Sequence, residues 1–143
     1  MTVLREDVGR HNAGDFMKLR IKGNSLRLRV SRPELARFLD GERIEETIHF
    51  SRAPQASLTY TLESAAQVAP VRVQYESQIL KFIVSQDQAC KWGAESEVGV
   101  YSTLDVGAAG SLEVIVEKDF ACLDRSDEEN SDAFANPHAA ARC

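Results

Sequence analysis

The stretch Met17-Lys18-Leu19-Arg20-Ile21-Lys22-Gly23-Asn24-Ser25-Leu26-Arg27-Leu28-Arg29-Val30 alternates basic and apolar residues on both sides of a Gly-Asn pair. A period of two sends successive side chains to opposite faces of a strand, so the pattern predicts two half-buried strands. Gly23-Asn24 is a favourable two-residue hairpin turn, with glycine first as a type II′ turn prefers. That loop length sets Ile21 opposite Leu26 and Leu19 opposite Leu28 on one face, with Arg20 opposite Arg27 and Lys18 opposite Arg29 on the other. A three-residue loop would mix the faces. Like charges directly opposite cost about 0.2 to 1 kcal/mol per pair, so such a hairpin calls for anions. Glu45, Glu63, Glu76 or Glu113, on outward faces of other expected strands, are internal sources. An external phosphate or carboxylate is the other, since Arg supplies a bidentate fork. Lys18, Arg20, Lys22, Arg27 and Arg29 are then the candidate anion-binding residues.

Further strands are expected at residues 43–50, 57–63, 71–76, 79–84, 98–104 and 111–118, about eight in all. Residues 79–84 are apolar on both faces except for Lys81, which marks a central strand. Ser31-Arg32-Pro33-Glu34 forms a capping box with proline in the first turn, opening a helix to Asp40 with Leu35, Phe38 and Leu39 on one face. Gly41 suits the left-handed position that ends it. A weaker box, Ser85-Gln86-Asp87-Gln88, opens a second helix that buries Ala89 and Trp92 and ends near Gly93. No internal repeat is evident. The expected fold class is α+β and β-rich: about eight mostly antiparallel strands in a sandwich or partly closed barrel, with two short helices.

The 143 residues, 43% hydrophobic and 27% charged, suit a single domain. A net charge of −5 argues against wholesale coating of nucleic acid, and Trp92 and the three tyrosines are not interleaved with the basic ladder. No nucleic-acid partner is expected. No apolar run approaches the roughly 18 residues of a membrane span, so no membrane partner is expected either. Charge is uneven: residues 18–37 hold seven basic side chains against one acid, and residues 117–132 hold seven acids against two bases. The chain divides into a loose extension at residues 1–16, a globular domain at 17–123 and an acidic, apolar-poor tail at 124–143. The tail either packs through Phe120, Leu123 and Phe134 or folds back on the basic face as a built-in competitor.

Cys90, Cys122 and Cys143 lack C-x-x-C spacing, so neither a disulfide framework nor a zinc ribbon is written in the chain, and reduced thiols in a cytoplasm fit best. The first sixteen residues lack the apolar core of a secretory signal. Cys122, between Lys118, Asp119 and Asp124, reads as a structural thiol, because neighbouring carboxylates disfavour the thiolate. His11, His49 and His138 stand apart, and Asp127, Glu128, Glu129 and Asp132 lack the spacing of a calcium loop. Gly107-Ala108-Ala109-Gly110 reads as a turn and not a phosphate loop. No metal or cofactor is called for.

The opening motif, the middle run Leu58-Thr59-Tyr60-Thr61-Leu62-Glu63 and the late run Glu117-Lys118-Asp119-Phe120-Ala121-Cys122-Leu123 resemble an uncharacterised family of small bacterial proteins. The tail pattern of that family ends Asp-Ala-Phe-Pro-Asn-Pro; here Asp132-Ala133-Phe134-Ala135-Asn136-Pro137 has Ala135 in place of the first proline. The resemblance implies kinship and carries no activity. The residues themselves point to a non-enzymatic cytoplasmic binding or accessory domain whose basic face takes an anionic small molecule or an acidic protein segment. The alternative is a metal-assisted phosphohydrolase similar to triphosphate-tunnel enzymes, using the same face with Glu113 and Glu117. The hallmark of those enzymes is Glu-x-Glu-x-Lys, whereas Glu113-Val114-Ile115-Val116-Glu117-Lys118 has other spacing and sends Lys118 to the opposite face.

Overall fold

The opening alternation closes into a hairpin of β1 (Lys18–Lys22) and β2 (Ser25–Val30), turned by Gly23 at φ +56°. In this computed structural model, which describes residues 16–94, 96–120 and 134, the register is the one the loop length dictates: Ile21 faces Leu26, Leu19 faces Leu28, Arg20 faces Arg27 and Lys18 faces Arg29. Leaving β2, Ser31 caps α1 (Arg32–Leu39). Its hydroxyl oxygen accepts the Glu34 N–H at 3.4 Å while Glu34 Oε1 accepts the Ser31 N–H at 3.0 Å, so two otherwise unpaired amides are satisfied reciprocally. Leu35 and Phe38 are buried; Leu39 remains 44% exposed, so the apolar stripe of α1 is narrower than its sequence implies.

The chain continues through β3 (Ile44–His49), β4 (Ser57–Ala65), β5 (Val71–Glu76), β6 (Ile79–Ser85), α2 (Gln86–Gly93), β7 (Gly99–Asp105), a single 3₁₀ turn and β8 (Ser111–Lys118). These strands form two four-stranded sheets, β1-β2-β8-β7 and β3-β4-β6-β5. Hairpin neighbours pair antiparallel, but the central pair of each sheet, β2 with β8 and β4 with β6, is parallel. The result is a sandwich-like α+β domain with no closed barrel among the described residues. Leu28, Val30, Val114 and Val116 from the first sheet and Leu62, Phe82 and Val84 from the second share one core with Leu35, Phe38 and Trp92 of the helices. Burying apolar faces of both sheets at about 25 cal/mol per Å² is what drives this closure. The strand at residues 79–84 is central, as its apolarity on both faces requires.

A repeat hidden in the sequence organises these sheets. The order hairpin, helix, hairpin occurs twice: β1-β2-α1-β3-β4, then β5-β6-α2-β7-β8. Leu28 lies opposite Val116, and their counterparts fifty-four positions away, Phe82 and Leu62, lie opposite each other with the same parallel register. Ser31 and Ser85 cap their helices in the same way, onto the N–H of Glu34 and of Gln88. Phe38 and Trp92, also counterparts, meet edge to face at 5.9 Å between the helices. Each sheet therefore takes one hairpin from each half.

Phe134, in the stretch expected as tail, is the one described residue beyond Phe120. Phe134 donates its N–H to the Asp119 carbonyl at 2.7 Å, stacks edge to face on Phe120 at 6.2 Å and packs against the core. Residues 1–15, Cys122, Leu123, Cys143, His11, His138 and the acidic run at 124–132 lie outside the described residues. No described helix is long and apolar enough to cross a membrane.

Candidate functional site

The outward face of the first sheet carries all five candidate cations in three cross-strand rows. Lys18, Arg29, Glu117 and Gly99 form one; Arg20, Arg27, Ile115 and Tyr101 the next; Lys22, Ser25, Glu113 and Thr103 the third. Strand alternation alone places them there, since Leu28, Val30, Val114 and Val116 occupy the opposite, buried face.

These cations are not equivalent. Arg29 Nε donates to Glu117 Oε2 at 2.9 Å, and Arg27 Nε lies 3.6 Å from the same oxygen. Lys18 Nζ lies 3.0 Å from Oδ2 of Asp119, whose side chain is 2% exposed. Arg20 and Lys22 make no ion pair among the described residues. Together with Arg27, Ser25, Glu113 and Ile115 they line a groove of about 180 Å³. A second depression, of about 340 Å³, continues from Glu113 and Ile115 to Tyr101 and Thr103. Partial burial, and then the Glu117 carboxylate, hold the Tyr101 phenol above its ordinary range, so it stays a neutral hydrogen-bonding group.

The internal carboxylates differ from those expected. Glu45 and Glu63 belong to the second sheet, where Arg43 meets them at 3.0 and 3.6 Å, and Glu76 also lies on that sheet. Glu117 and Asp119 take their place because β8 runs parallel beside β2, a pairing that local pattern does not reveal. Lys118 points inward, as its position beside Glu117 requires, and donates from Nζ to the Ala94 carbonyl at 2.8 Å while lying 5.3 Å from the centre of the Phe134 ring. Glu113 and Glu117 share the outward face; Glu117 is held by the two arginines. Among the described residues no three of His, Cys, Asp and Glu gather as metal ligands, and Cys90 is an exposed free thiol on α2.

The repeat supplies an internal comparison. Fifty-four positions from Arg20, Lys22, Ser25 and Arg27 stand Gln74, Glu76, Ile79 and Lys81, which with Ser77 line a groove of about 230 Å³ on the second sheet. The same depression thus occurs twice, basic on the first sheet and nearly neutral on the second.

A second polar feature sits under α1. Burial pushes the Glu34 carboxyl up to about 7 against the lowering effect of its Ser31 hydrogen bonds, and Glu34 Oε2 finds no hydrogen-bond partner among the described residues. Tyr60 donates its hydroxyl to the Met17 carbonyl at 2.8 Å; burial, with the charges of Glu46 and Glu34, raises its pKa to about 12. This cluster lies on the core side, away from the basic face. Sequence reading singles out Glu34 only as a cap.

A model of a protein family of unknown function, DUF7009, matches residues 17–138. The chain belongs to that family. The match opens at Met17, where the alternation begins, and extends beyond Phe134, the last residue seen packed on the core. No curated protein and no solved structure matches the chain.

Proposed function

We propose that this domain is a non-enzymatic binding module whose first sheet holds a multivalent anion over Arg20, Lys22 and Arg27. One observation carries the reading: of the five candidate cations, the two that make no ion pair among the described residues, Arg20 and Lys22, converge on one groove with Arg27, which meets Glu117 only at 3.6 Å, while Lys18 and Arg29 are held by Asp119 and Glu117 at 3.0 and 2.9 Å. Two forked or flexible donors over a shallow groove suit phosphate or carboxylate oxygens, which accept charge-assisted hydrogen bonds. The exchange of Arg20 and Lys22 for Gln74 and Glu76 in the second half supports it further, because the fold alone does not demand a basic groove. In the same reading the module works in a reducing bacterial cytoplasm, which an exposed free thiol at Cys90 suits.

Thermal melts in tripolyphosphate at low salt test this. A ligand of the native state stabilises by mass action, by about 2.7 kcal/mol at a hundred times its Kd. The melting temperature should rise with tripolyphosphate, and Arg20→Gln with Lys22→Gln should abolish the rise without lowering the anion-free value. No rise in the unsubstituted protein refutes the reading. Release of phosphate from tripolyphosphate with a divalent metal would replace it with the phosphohydrolase alternative.

A further inference from the structure

The basic groove coincides with a free sheet edge. β1 is terminal in the first sheet, and among the described residues no strand pairs with its far side. The two-residue loop makes Lys22 and Ser25 the hydrogen-bonded closing pair, and hydrogen-bonded and non-hydrogen-bonded pairs alternate from there. Lys18, Arg20 and Lys22 therefore direct their main-chain groups to β2, whereas Leu19 and Ile21 direct theirs outward. The Ile21 side chain, on the face opposite the cations, is 64% exposed. Such an edge is a template for another strand.

The other edges differ. β5 and β7 lie against each other, and β3 carries Glu45, Thr47 and His49 on its outward face. Three cations at alternate positions distinguish β1.

We infer that β1 accepts an extended acidic peptide as a fifth strand of the first sheet, its acidic side chains alternating beside Lys18, Arg20 and Lys22 and an apolar side chain beside Ile21. This rests on the anion-binding reading above and names the class of its ligand. Charge selects the occupant. A second copy pairing through its own β1 would set three cations beside three cations, and like charges across a strand pair repel. An acidic strand reverses the sign, meets Arg20 and Lys22, and gives the outward groups of Leu19 and Ile21 main-chain partners. A compact inorganic anion meets the cations and leaves those main-chain groups in water.

Amide hydrogen exchange by NMR on the full chain separates the two, using a peptide of alternating glutamate and valine and, separately, tripolyphosphate. The peptide should bind at low salt and slow exchange at the Leu19 and Ile21 amides about tenfold or more, and tripolyphosphate should leave both unchanged. A peptide that binds without protecting these amides overturns the fifth-strand inference, as does binding of tripolyphosphate alone; the anion reading survives both. Binding of neither overturns both.

Discussion

Replacing Glu34 with glutamine tests how the buried cap shapes stability. The Glu34 side chain is 1% exposed; Oε1 accepts from the Ser31 N–H and hydroxyl, each at 3.0 Å, and Oε2 has no partner among the described residues. Burial raises its pKa from 4.5 to about 7. Between those values the unfolded chain releases the proton and the folded chain keeps it, so the unfolded state binds fewer protons and stability falls as pH rises. At about 1.4 kcal/mol per pH unit, the gap amounts to about 3 kcal/mol of stability, present below pH 4.5 and lost by pH 8. Glutamine stays neutral, and its amide oxygen is an acceptor for the Ser31 N–H in the place of Glu34 Oε1. Urea denaturation of Glu34→Gln and the unsubstituted protein, in parallel from pH 4 to pH 8, removes the contributions of other carboxylates. The difference should grow in favour of glutamine by about 3 kcal/mol across the range. The new amide hydrogens add an offset that does not vary with pH. A difference that is flat from pH 4 to pH 8 refutes the reasoning.

Ser31→Ala and Ser85→Ala should each cost about 0.5 to 2 kcal/mol, since each hydroxyl oxygen accepts an N–H in the first turn of its helix; unchanged urea midpoints would contradict this. Gln74→Arg with Glu76→Lys copies the basic groove onto the second sheet, so tripolyphosphate stoichiometry by calorimetry should rise from one to two. A stoichiometry still at one would show that groove shape and charge are insufficient.

Much of the site was legible in the sequence because it rests on local rules. Alternation across Gly23-Asn24 puts the five cations on one face, and the register follows from loop length. Their division into engaged and open groups was not legible, because Glu117 and Asp119 lie far along the chain and reach the hairpin only through the parallel β2–β8 pairing. The repeat is faint in the sequence for a related reason. Across the first hairpin and helix only Leu26 with Leu80, Val30 with Val84 and Ser31 with Ser85 are identical, since packing asks for an apolar residue or a cap at these places more than for a particular side chain.

By itself the sequence determined the strands, both helix starts, the hairpin turn and which side chains share a face, since each depends on neighbours a few residues apart. Tertiary structure decided which strands lie beside which. It set two parallel central pairs, brought Phe38 onto Trp92, packed Phe134 on the core and left Arg20 and Lys22 open while Lys18 and Arg29 were neutralised. Those outcomes follow from burying both sheets' apolar faces in one core, a condition on the whole chain that no single stretch contains.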